Sequence, residues 1–152
     1  MDDRAIVERQ LGRPPRAFRR VAVRCPFGLP AVTEQAPFDA DGTPFPTEFW
    51  LTCPHLVAAL ARVEAAGGVE RWTAAAQADP ELRSSLARAN AEQRALRPEL
   101  PGAIGGASRT GSLKCLHAHG AFALARPGYT LGDRILADAA PLWPRERCCT
   151  SL

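Results

Sequence analysis

The sequence predicts an α+β fold: one mostly helical domain in which a small N-terminal strand unit packs against four or five helices. Three observations carry this. The chain has 152 residues, about the modal size of a single domain. Phe18, the Val21 to Val23 stretch and the Ala31-Val32-Thr33 triplet supply β-formers early in the chain, where strands are favoured. From Pro54 onward, apolar residues recur at helical spacing between proline and glycine stops. With 46% hydrophobic and 23% charged residues, the chain has material for a core, which excludes wholesale disorder.

In chain order, residues 3–11 read as a short helix with acidic residues at its front, ended by Gly12 and Pro14-Pro15. Residues 18–24 read as a strand that delivers Cys25 to its end, followed by the turn Pro26-Phe27-Gly28-Leu29-Pro30. Residues 31–33 form a very short second strand, and residues 34–46 a loop punctuated by proline and glycine. Residues 47–52 form an extended lead into Cys53-Pro54, where proline suits the first position of a helix running to about Ala66. Leu56, Val57, Leu60 and Val63 form the buried face of that helix. A second helix covers about 69–78, and a third follows Asp79-Pro80 with Leu82, Leu86, Ala89, Gln93 and Leu96 in register. Residues 98–112 are expected to be a mobile loop. Residues 113–126 follow as a helix weakened by Gly120, and residues 131–140 as a last short helix. Residues 144–152 form a tail expected to be flexible, so the domain organisation is one unit over 1–152.

The 19 basic and 16 acidic residues leave a formal net charge of +3, too balanced to demand a nucleic-acid or membrane partner. No apolar run reaches the roughly 18 residues of a membrane span, and no secretion signal is visible, so a cytoplasmic protein is expected. Lys114 is the only lysine against a wealth of arginine, which points to a GC-rich source. Arg13, Arg16, Arg19, Arg20 and Arg24 fall close together, and Arg19, Arg20 and Arg24 are the candidate anion-binding residues. Nucleic acid is an open partner through this run, although no phosphate loop and little aromatic interleaving accompany it.

Five cysteines without an export signal fit a disulfide framework poorly and direct attention to metal or thiol chemistry. Cys25, Cys53, Cys115 and His117 make a four-donor set for a borderline-soft ion, zinc first. Each of these cysteines stands at an element boundary or beside a proline. The competing reading is that reduced cysteines fill small gaps in the core. His55, His119 and Cys148 are further candidate ligands. On a helix, His119 shares the face of Cys115 and His117 lies about 200° around; on a strand, all three point one way. With all four protein ligands the site is closed and structural, whereas a missing ligand admits water and hydrolysis. Four thiolates also suit an iron–sulfur cluster. A thiol enzyme is a further alternative, with Cys53 as nucleophile lowered by a helix N-terminus, a histidine as base, and Asp41 or Glu64 as orienting acid. No catalytic residue is assigned from the sequence.

The blocks Arg24-Cys25-Pro26-Phe27-Gly28-Leu29-Pro30, Gly42-Thr43-Pro44-Phe45-Pro46-Thr47, Leu51-Thr52-Cys53-Pro54 and Lys114-Cys115-Leu116-His117-Ala118 occur in this order. Together they resemble the bacterial family called domain of unknown function 501, found mainly in actinobacteria, over about residues 13–136. The resemblance implies a small cytoplasmic bacterial protein, with the family's motif cysteines and histidine at Cys25, Cys53, Cys115 and His117. It implies no reaction.

Overall fold

Six helices and three strands appear in a computed structural model that describes residues 1–107 and 111–151. The first helix, α1 (Asp3–Leu11), is capped by the Asp2 carboxylate, which accepts the Ala5 N–H at 2.8 Å. Gly12 closes it in the left-handed conformation, φ 74°. Strands β1 (Phe18–Arg24), β2 (Pro30–Gln35) and β3 (Phe49–Leu51) form an antiparallel sheet in the order β1-β2-β3. The turn between β1 and β2 is pinned by Cys25 N–H to Leu29 C=O and Gly28 N–H to Cys25 C=O. β2 extends beyond the residues 31–33 expected of it because both of its edges are paired, to β1 and to β3. The lead into Cys53 closes the sheet as an edge strand.

The helical part comprises α2 (Pro54–Ala65), α3 (Gly68–Ala78), α4 (Pro80–Leu96), α5 (Leu116–Ala125) and α6 (Thr130–Ala139). Pro54 and Pro80 stand at the starts of α2 and α4, where a missing N–H costs nothing. Among the described residues between α4 and α5 the chain makes a 3-10 turn, Ile104–Gly106. Part of the loop expected over 98–112, residues 108–110, lies outside the described residues.

α5 is the centre of the molecule and packs on α6, β3 and α2. Seven consecutive-face and cross-face residues, Leu116, Ala118, His119, Gly120, Ala121, Phe122 and Ala123, are buried, so it lacks the one-sided pattern of a surface helix. Gly120, which weakens the helix by propensity, lets α6 approach closely: a Cβ there would sit 3.3 Å from the Leu136 side chain. Phe122 meets Phe49 edge-on at 5.6 Å and Tyr129 at 5.9 Å, joining sheet and helices through one aromatic cluster. The sheet and α4 are further tied by Arg97, which donates to the carbonyls of Phe45, Gln35 and Ala36 at 2.8, 3.1 and 2.7 Å. Among the described residues no helix is long and apolar enough to cross a membrane.

Candidate metal centre

The site begins with a strained turn. Lys114 has φ 60°, in the left-handed region, and the Cys115 N–H closes a three-residue turn onto the Leu113 carbonyl at 2.6 Å. Cys115 itself is extended, φ −153° and ψ 136°, and stands as the residue before α5. The helix therefore starts at Leu116 rather than at 113. This separates the sequence alternatives: Cys115 lies off the helix, so it is not bound to the face of His119, and His117 on the first turn reaches it.

α2 supplies the third donor. Glu64, in its last turn, accepts the Leu116 N–H at 2.7 Å and faces His117 Nδ1 at 3.1 Å. The carboxylate thus satisfies an orphan amide at the N-terminus of α5, where negative charge is favoured. His117 Nε2 lies 3.2 Å from the Val57 carbonyl, again on α2. Glu64, Cys115 and His117 bring their ligand atoms within 4.8 Å of one another, all three half-buried. Sequence reasoning named Glu64 only as an orienting acid; its position at the end of an amphipathic helix carries no local signal of a ligand.

The charges in this group are coupled. A hydrogen bond to Cys115 pushes the His117 pKa up to about 9, and the Glu64 carboxylate acts in the same direction against burial. Burial pushes the Cys115 thiol up, but the His117 side chain and the Ala118 N–H outweigh it and leave the thiol below its ordinary value. Cys115 and His117 form part of the wall of a cleft of about 630 Å³, lined otherwise by apolar groups such as Leu11, Phe49, Leu51 and Val57, with Arg13 among them.

The four residues of the sequence-predicted set fall in two places. Cys115 and His117 join Glu64. Cys25, at the end of β1, and Cys53, before α2, are buried and face the C-terminal cysteines instead: Cys25 Sγ lies 3.8 Å from Cys148 Sγ, and Cys53 Sγ lies 3.7 Å from Cys149 Sγ. Cys148, a further candidate ligand, is thus beside Cys25, as its position allows. His55 contacts the Pro141 carbonyl at 3.0 Å. His119 is buried between the Tyr129 hydroxyl at 2.7 Å and the Leu113 carbonyl at 3.1 Å, and burial pushes its pKa down to about 4. It braces the turn that carries Cys115. Burial also pushes the Cys53 thiol up to about 11, outweighing the His55 and Leu56 amides at the helix start. The expected lowering at that helix N-terminus is therefore reversed by desolvation, and Cys53 is unsuited to nucleophilic attack. Asp41 is exposed in the β2–β3 connection, where its own N–H bonds to Asp39. Within the arginine run, Arg20 pairs with Glu34 at 2.7 Å and Arg24 with Asp3 at 2.7 Å, which neutralises part of the candidate anion surface.

Fold and site together define a small α+β protein that sets a carboxylate, a thiol and an imidazole beside an apolar cleft. The family model described as Protein of unknown function (DUF501) matches residues 21–103, more than half of the chain, and the protein belongs to that family. The matched span contains Cys25, Cys53 and Glu64 and ends before Cys115 and His117. No curated protein and no solved structure matches the chain.

Proposed function

We propose that this protein binds one zinc ion through Glu64, Cys115 and His117, with a fourth position open toward the apolar cleft. The observation that carries this reading is the meeting of three different donor types within 4.8 Å, from α2, from the first turn of α5 and from the extended residue before it. Thiolate, imidazole and carboxylate together suit zinc rather than the hard cations, which take oxygen alone. A lone thiolate does not suit an iron–sulfur cluster, which takes four cysteines or a close variant. Three protein ligands leave room for a water that zinc activates for hydrolysis. The cleft fits a small, largely apolar molecule, and Arg13 on its wall offers a charge for an anionic group. Five free thiols fit a reducing cytoplasm. The test is elemental analysis: Glu64→Gln, Cys115→Ser and His117→Ala each lose one zinc per chain while keeping the wild-type far-ultraviolet circular dichroism.

A thiol-dependent enzyme is the second reading, and a different observation favours it. Cys115 stands at the N-terminal end of α5 on the cleft wall, next to His117, which in turn leans on Glu64; this is the order nucleophile, base, orienting acid. Iodoacetamide separates the two. Rapid, selective labelling of Cys115 in folded protein that is purified free of metal supports the enzyme, whereas protection of Cys115 until a chelator removes zinc supports the metal site.

A further inference from the structure

Outside the Glu64 centre, a second kind of thiol chemistry is laid out around Cys148. We propose that Cys148 is a reversible oxidation site: a hydroperoxide oxidises its sulfur, and Cys25 then closes a Cys25–Cys148 disulfide that fastens the segment after α6 to the turn between β1 and β2. The proposal uses none of the zinc ligands and stands or falls separately from that reading.

The geometry gives the two sulfurs different parts. Cys25 follows β1, opens the turn pinned through its own N–H to Leu29, and is 5% exposed. Cys148 belongs to residues 141–151, which form no helix or strand, and is half-buried beside a surface depression shared with Arg145, Arg147 and Cys149. A small oxidant therefore meets Cys148 first. Two donors converge on the Cys148 sulfur, the Thr150 N–H at 3.4 Å and the Cys25 S–H at 3.8 Å. Donors aimed at one sulfur favour its thiolate, which is the form that attacks peroxide. Burial pushes the Cys148 thiol up, but Thr150, Cys25 and Cys149 outweigh it and leave the thiol below its ordinary value. A lowered, accessible thiol poised beside a resolving cysteine is the arrangement of a redox-sensing site. The neighbouring pair, Cys53 and Cys149 at 3.7 Å, is the slower one, because burial pushes the Cys53 thiol up to about 11 and withholds its thiolate.

The chemistry takes two steps. The Cys148 thiolate attacks the terminal oxygen of the hydroperoxide, the O–O bond breaks, and the departing alkoxide or hydroxide takes a proton from solvent; the peroxide is reduced and the sulfur becomes a sulfenic acid. The Cys25 sulfur then attacks that sulfur, the S–O bond breaks, and hydroxide leaves as water with the Cys25 proton. The two sulfurs close from 3.8 Å to about 2 Å, a shift within reach of a segment held by few contacts. Its other anchors to α1 are Arg9 to the Ser151 carbonyl and Gln10 to Thr150 Oγ1, both at 3.0 Å. A cellular dithiol reverses the oxidation by exchange, as befits a transient disulfide in a reducing compartment. Gln10 also lines the apolar cleft beside Cys115 and His117, so the modified segment is one hydrogen bond from the cleft wall.

The experiment treats reduced protein, freed of reductant, with stoichiometric hydrogen peroxide at neutral pH and maps the products by mass spectrometry after digestion without reductant. The expected product is a Cys25–Cys148 peptide pair that dithiothreitol dissolves, with Cys53 and Cys149 still thiols. Cys25→Ser cannot close the bond, so sulfenic acid accumulates at Cys148 and is captured by dimedone. Cys148→Ser loses the link, and Cys149→Ser keeps it. The wild-type map decides alone where a variant does not fold. The proposal is overturned if Cys148 stays a thiol, if dimedone captures Cys25 or Cys53 in its place, or if Cys148 pairs with Cys149 or with a second chain rather than with Cys25.

Discussion

At the scale of single residues, the chemistry is decided by burial against partners. Glu48 is buried beside β3, one of its carboxyl oxygens lacks a partner, and burial pushes its pKa up to about 7 from 4.5, with Arg97 opposing the shift. The folded protein therefore holds a proton that the unfolded chain releases near pH 4.5, so stability is full below that pH and falls as pH rises through about 7. The loss corresponds to about 3 kcal/mol. Glu48→Gln is expected to exceed wild type in stability at pH 8 and to match it near pH 4.5, as measured by denaturant unfolding; a difference that does not change with pH contradicts this. Cys115 and His117 were legible at the same scale because thiol and imidazole types stand out in any sequence. Glu64 was visible only as an acid, and the turn at Lys114 was not visible at all, since Leu113-Lys114-Cys115 has no glycine or asparagine to announce a positive φ. The pairing of Cys149 with Cys53 was hidden because it depends on where the tail returns.

Element boundaries divide according to whether their signals are local. α1, α2 and α4 follow the sequence expectation closely, since Gly12, Pro54 and Asp79-Pro80 mark their ends within a few residues. α5 and α6 are different. Glu64 of α2 accepts the first amide of α5, and Ser85 of α4 accepts the Leu131 N–H of α6 at 3.0 Å. Both helix starts are therefore capped by other helices, and no local pattern reveals them. The α5–α6 crossing also depends on Gly132, where a Cβ would lie 2.6 Å from the Ala123 Cβ and 2.6 Å from the Tyr129 ring. Gly132→Ala gains about 1 kcal/mol of helix propensity, yet it overpacks this contact and is expected to lower stability by about 1–3 kcal/mol net. Thermal unfolding checks the sign, and a stabilised variant would falsify the close packing described. Because Tyr129 also holds His119 Nδ1, the same change disturbs the turn at Cys115.

Across the whole molecule, the strand unit and the helices are joined at a few polar points as well as through the aromatic cluster. Arg97 is the largest of these: it is 2% exposed and reaches three carbonyls, that of Gln35 at the end of β2 and those of Ala36 and Phe45 in the connection to β3. A lysine has one ammonium and cannot span them, so Arg97→Lys is expected to cost about 2–4 kcal/mol through buried carbonyls left unpaired; a denaturant midpoint equal to wild type contradicts that role. The fold class was legible because composition and spacing report the core, whereas the separation of Cys115 from Cys25 and Cys53 was not, because it follows from the packing of α5 on α2 and the return of the tail. The central claim is that Glu64, Cys115 and His117 hold one zinc. It is tested most directly by the difference in zinc content between wild type and His117→Ala, both purified without an affinity tag and without added metal. One zinc fewer per chain in the folded variant is the predicted result, and equal zinc in both proteins contradicts it.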